Sequence, residues 1–118
     1  MAAPNLKNPS TVTGKTATYS CTDTLASALA NGASSGKLLK VNTVRAANIT
    51  SSSGNVDLTL FRSSTHTYFI KSATVPPNGS LVLTDKNEYI YLEEGDALYA
   101  KANASSTIDL TIHYEDIS

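Results

Sequence analysis

The chain has 118 residues, a formal net charge of −1, 41% hydrophobic and 16% charged residues, and a single cysteine. That length makes one domain, which buries about two thirds of its unfolded surface and needs no disulfide or metal to fold. No apolar run approaches the ~18 residues of a membrane span, Met1–Ser20 has no apolar signal core, Cys21 has no internal partner, and near-neutral charge argues against a general nucleic-acid binder.

Ser, Thr and Asn number 15, 15 and 9, together 39 of 118, with no Gln and no Trp. Small hydroxyl and β-branched residues compete with helix and suit strands and turns. Residues 1–12, with two Pro and two Asn, read as an extended N-terminal arm ahead of a domain over 13–118. Pro4, Asn5, Leu6, Lys7 and Pro9 are its candidate assembly contacts.

Strand alternation begins at Thr13–Cys21, with Ala17, Tyr19 and Cys21 on one face and Thr16, Thr18 and Ser20 on the other. Asp23–Ala30 is the one helix-compatible stretch, short enough to be a strand or a single turn. Lys37–Ala47 predicts a strand with Leu39, Val41, Thr43 and Arg45 on one face, and Leu38, Lys40, Asn42 and Val44 on the other. Val56–Arg62 turns Val56, Leu58 and Leu60 one way and Asp57 and Thr59 the other. A turn at Ser63–Thr65 precedes a strand over Thr67–Ala73, and Pro76-Pro77-Asn78-Gly79 is a strong turn signal. Ser80–Thr84, Glu88–Leu92 and Ala97–Ala102 are further short strands. In the last strand Ile108, Leu110, Ile112 and Tyr114 alternate with Asp109, Thr111, His113 and Glu115, which marks one buried and one solvated face. The pattern predicts an all-β fold: a single antiparallel β-sandwich of about eight strands, jelly-roll or immunoglobulin-like, with an extended N-terminal arm.

Residues fit for chemistry are sparse. Cys21 has no local nucleophile signature and reads as a small buried hydrophobe. His66 in a Ser/Thr turn and His113 on an outward face have no second metal ligand at useful spacing. Glu93, Glu94 and Asp96 could hold a hard cation, but acids also decorate turns, and Gly95 suits a tight one. Asn48, Asn78 and Asn103 match the glycosylation pattern in a chain rich enough in Asn, Ser and Thr to do so by chance. Tyr89 and Tyr91 share a face opposite Ile90 and Leu92. One pair is core and the other surface, so the tyrosines either pack across strands or offer exposed aromatic contacts. No catalytic, cofactor-binding or metal residue is therefore expected. Charge divides along the chain, with net +5 over 1–84 and −6 over 85–118. The two halves either form patches that dock on other copies or interleave and cancel.

The second half carries a recognisable order: Ala73–Leu81 (ATVPPNGSL), Asp85-Lys86, Tyr91–Leu98 (YLEEGDAL), and a final strand ending Tyr114–Ile117 (YEDI). This resembles small β-sandwich proteins encoded among the virion structural genes of tailed bacteriophages, especially marine and cyanobacterial ones. The resemblance covers roughly residues 20–118 and rests on turn and strand markers. His113 stands where a small residue is usual, and Pro77 where an Ala is usual. The resemblance implies a non-enzymatic virion protein, an accessory or decoration protein of capsid or neck, assembled in the bacterial host cytoplasm. Its expected partners are major capsid or neck and tail proteins and further copies of itself, a trimer among the options. No nucleic acid, membrane, cofactor or small-molecule ligand is expected. The alternatives are a tail or fibre component and a host carbohydrate-binding module.

Overall fold

The computed structural model describes residues 4–118; Met1–Ala3, the start of the expected arm, lie outside them. Nine strands follow in order: β1 (Val12–Ser20), β2 (Ala26–Ala30), β3 (Leu38–Asn48), β4 (Gly54–Arg62), β5 (Thr65–Val75), β6 (Ser80–Thr84), β7 (Ile90–Leu92), β8 (Ala97–Ala102) and β9 (Ile108–Ile117). Between β6 and β7 the chain makes one 3₁₀ turn, Lys86–Glu88, whose first residue is preceded by Asp85; the Asp85 carboxylate accepts from Asn87 N–H at 2.9 Å.

All pairings are antiparallel and nested: β1 with β9, β2 with β8, β3 with β6 and β7, and β4 with β5. The chain is thus one long hairpin. Pairing of β9 with β3 and of β8 with β4 rolls that hairpin into two sheets. The five-stranded sheet has the order β1-β9-β3-β6, with β7 also on β3; the four-stranded sheet has the order β2-β8-β4-β5. This is a jelly roll, which decides against immunoglobulin-like connectivity. The Cα radius of gyration is 14.5 Å.

The core lies between the sheets. Leu58 and Leu98 enter from one side, and Val41, Val44, Ile108, Leu110 and Ile112 from the other, all essentially inaccessible. Each such aliphatic side chain contributes about 1.5–3 kcal/mol relative to exposure. The short stretch at 23–30 becomes β2, because Ala26–Ala30 finds a partner strand in β8.

The faces expected for Lys37–Ala47 need a correction. A bulge between Val41 and Thr43 inserts one residue opposite β9, so the inward set runs Leu39, Val41, Val44, Ala46 and Asn48. Arg45 is exposed and Val44 is buried. A bulge reverses the alternation beyond it. Asp57 and Thr59, which turn the opposite way from Val56 and Leu58 on β4, are buried as well. They lie on the outer side of the four-stranded sheet among Lys101, Tyr99 and Tyr68, their cross-strand neighbours.

Turn chemistry sets the hairpin ends. The β4–β5 hairpin turns on Ser63 and Ser64, both with positive φ (51° and 60°), as a two-residue loop between twisted strands requires. At the Pro76–Gly79 turn, Gly79 N–H donates to Pro76 O at 3.0 Å; a Cβ on Gly79 would meet Pro76 Cγ at 2.8 Å. That close approach, rather than backbone strain, requires glycine there.

Candidate functional site

The arm residues singled out in the sequence stand largely in solvent. Asn5, Leu6 and Lys7 are exposed, while Pro4 and Pro9 are half-buried. The segment turns at Asn5–Asn8: Asn8 N–H donates to Asn5 O, and Lys7 N–H to Asn5 Oδ1, both at 3.0 Å. It is tethered just before β1, where Thr11 and Ser118 exchange two backbone hydrogen bonds of 2.9 and 2.8 Å. Leu6 and Val12 stay about half exposed (49% and 51%).

Tyr89 and Tyr91 resolve as the surface pair, with Ile90 and Leu92 in the core. Their rings meet edge to face at 5.3 Å, and Lys40 Nζ sits 4.5 Å from the centre of the Tyr89 ring. Burial first, and then the neighbouring Tyr89, push the Tyr91 phenol above its ordinary value. Tyr89 also lines a cleft of about 360 Å³ between the two sheets, with Phe69 and Ile70 of β5 facing Leu83, Thr84, Glu88 and Ile90. Phe69 and Tyr89 are both more than 40% exposed, and the buried Thr84 hydroxyl has no protein partner. This cleft joins residues from three separate stretches of chain, 69–70, 83–84 and 88–90, so no local signal in the sequence could disclose it.

The motifs behind the resemblance build clamps. Asp96 is buried, and its carboxylate accepts from Arg62 Nε at 3.0 Å and Nη2 at 2.6 Å, and from Glu93 N–H at 2.8 Å. Glu93 takes a second contact from Arg62 at 2.7 Å, and Glu94 accepts from Gly36 N–H at 3.0 Å. The three acids weighed as cation ligands are thus spread over an arginine and backbone amides. Hydrogen bonding to Asp96 raises the Arg62 guanidinium further above an already high value. Buried Asn31 ties the same end, with Nδ2 donating to Lys37 O and Leu92 O at 2.9 Å each, and Oδ1 accepting from Ser35 Oγ. Gly95 sits at φ +87° and donates to Asn31 O.

Asn48 plays the matching part at the other end. Its Nδ2 donates to Ser52 O and Val75 O, and its Oδ1 accepts from Thr50 N–H and Oγ1. Only 2% exposed, this sequon asparagine is closed to modification in the folded chain. Near the C-terminus, Asp116 Oδ2 accepts from Lys15 and Lys37 at 3.0 and 3.2 Å. Burial alone would raise that carboxyl, but the two lysines outweigh it and hold it below its ordinary range. These pairs join acids of the second half to bases of the first, so the two charge blocks interleave.

Cys21 is buried, and burial followed by the Asp109 charge pushes its thiol up to about 12, which makes it a poor nucleophile at neutral pH. His113 is exposed on β9, 3.4 Å from Thr16 Oγ1. His66 lies in β5 rather than in the turn expected for it. Its Nδ1 lies 2.9 Å from Thr59 Oγ1, and its ring closes a triangle with Phe61 and Tyr99 at centroid distances of 4.6 and 4.9 Å. This outer-face cluster escaped sequence reasoning because Tyr99 is distant from the other two along the chain and only the pairing of β8 with β4 brings it to them. Among the described residues no group of three or more His, Cys, Asp or Glu is placed to hold a metal ion, and no helix is long and apolar enough to cross a membrane. No family model matches the chain, and no curated protein matches it.

Proposed function

We propose that this protein is a non-enzymatic structural subunit of a tailed-bacteriophage virion, an accessory or decoration protein of capsid or neck. The observation that carries the reading is the tethered arm: residues 4–11 are anchored at Thr11 by Ser118, leave Leu6 about half exposed and keep most of their surface for a neighbour. Ordering such a segment costs entropy whose natural compensation is a partner surface. The motif residues that carry the resemblance serve turns and ion-pair clamps, as a rigid building block needs. The test is quantitative mass spectrometry of purified particles. A copy number near that of the major capsid protein supports a decoration role, a far lower one moves the chain to neck, tail or fibre, and absence from particles removes the reading. Deletion of residues 1–10 is expected to abolish particle association while the sandwich still folds.

A second reading, a carbohydrate-binding module, is favoured by the cleft that the exposed aromatics Phe69 and Tyr89 line together with Glu88 and Thr84. Glycan-array binding that is lost in Tyr89→Ala supports it, and a blank array removes it.

A further inference from the structure

We propose that the open edge of β1 is a self-pairing surface, on which two copies join their five-stranded sheets antiparallel about Thr16. The inference stands on backbone geometry and does not rest on the virion reading.

The first observation concerns direction. Thr11 and Ser118 exchange both backbone bonds, and Cys21 N–H donates to Ile108 O at the far end of an unbroken register. Hydrogen-bonded pairs alternate along an antiparallel ladder. Odd residues of β1 therefore bond to β9. The even residues Val12, Gly14, Thr16, Thr18 and Ser20 turn their N–H and C=O groups to the open side. All five are exposed. From Val12 to Thr16 the strand is exposed on both faces, so no described part of the chain overhangs it.

The second observation is contrast. Every other sheet edge is interrupted. β2 has five residues and a bulge between Ser27 and Leu29. β5 breaks register with β4 twice, and Ser72 there has φ 54°. β6 is bulged against β3, and β7 has three residues. Short strands and bulges are the usual protection of sheet edges. β1 has neither over nine residues, and it contains no Pro. Its one charge, Lys15, is tied back to Asp116.

The third observation selects the occupant. Full overlap of two nine-residue β1 strands centres on Thr16 and sets Val12 opposite Ser20, Gly14 opposite Thr18, and Thr16 opposite its own copy. Every one of these pairs joins two outward-facing residues. Each pair exchanges two bonds, so five pairs satisfy all the open backbone groups of both strands. On the other face Thr13 meets Tyr19 and Lys15 meets Ala17, so no like charges are opposed. A strand with this parity and charge fits its own copy. The pairing closes at two, so any trimer would use a different surface.

The experiment is sedimentation of the full chain over a concentration series. The expected species has twice the 12.4 kDa monomer mass. Thr16→Lys or Thr16→Glu alone sets like charges face to face across the twofold and is expected to weaken dimerisation by roughly tenfold or more. An equal mixture of the two restores the dimer as a heterodimer. On the unmodified chain, amide exchange at Gly14, Thr16 and Thr18 slows as concentration rises, while Lys15, Ala17 and Tyr19 stay slow throughout. A monomer at every concentration overturns the proposal. So does a dimer indifferent to both variants, or one whose even-numbered β1 amides still exchange fast. The exchange arm decides the matter even if a variant fails to fold.

Discussion

β1 and β5 are both long edge strands, of nine and eleven residues, and they treat their open sides differently. β5 carries the exposed Tyr68 and Phe69, and it is bent out of register twice. One break is held by a buried carboxylate: Asp57 Oδ1 accepts from Ser72 N–H at 2.6 Å. β1 carries Gly14, Thr16, Thr18 and Ser20, after Val12 at its start, to its open side, and its register is unbroken. The difference teaches that strand length does not decide whether an edge can recruit a partner; continuity of register does. An apolar edge left straight is an aggregation hazard, whereas a polar one can be left open for controlled pairing.

The comparison breaks first through the core beneath β5. Leu58 is fully buried and lies opposite Ile70, so Leu58→Ala is expected to cost about 3 kcal/mol. Val12→Ala on β1 should stay within ~0.5 kcal/mol. Urea unfolding of both variants measures the pair, and similar losses would erase the distinction. Arg62→Ala, at the base of the β4–β5 hairpin, leaves the buried Asp96 carboxylate with only the Glu93 amide. A loss of about 2 kcal/mol is expected, discounted because the guanidinium is half-exposed; calorimetry reads it. Asp57→Ala removes the acceptor at the β5 break, with an expected cost of about 1–2 kcal/mol. Its signature is faster exchange of the Ser72 amide and light scattering on heating, as β5 straightens.

Two smaller effects sharpen the contrast. Replacing Ser63-Ser64 by Asn-Gly suits the two positive φ angles of the hairpin and should raise stability by up to about 1 kcal/mol. A thermal melt checks it. For β1 the corresponding lever is pH, through Asp116 and its two lysines. A carboxyl held below its ordinary 3.8 contributes stability above that value and loses it as pH falls through the folded value. Stability is therefore expected to be flat from about pH 5 to 8 as far as this group is concerned, and to fall below about pH 4. Asp116→Asn should remove that part of the acid limb in pH-dependent melts.

Much of the fold was legible because strand alternation is local. Ile108, Leu110 and Ile112 announced their inward face, and the turns at Pro76–Gly79 and Glu93–Asp96 were readable from proline, glycine and acid spacing. Tyr89 and Tyr91 were legible as one face, and Ile90 and Leu92 settled which face is outside. The β3 face reversal was not legible, because a bulge is dictated by the partner strand β9 and not by residues 38–48 themselves. The clamps were hidden for a related reason. Arg62 and Asp96 are 34 positions apart, and only the β4–β8 pairing brings them within 2.6 Å.

By itself, then, the sequence determined which segments are strands, where they turn and which side chains in most of them face inward, since these follow from a two-residue period and from turn chemistry. Tertiary structure alone decided the nested jelly-roll order, the cleft between β5 and β7, the burial of Asp57 and Thr59, and which edge remains open. Those features depend on which distant strand lies alongside each segment. A period of two is the same whatever its neighbour, so pairing is decided only when the long hairpin rolls up and buries its apolar face.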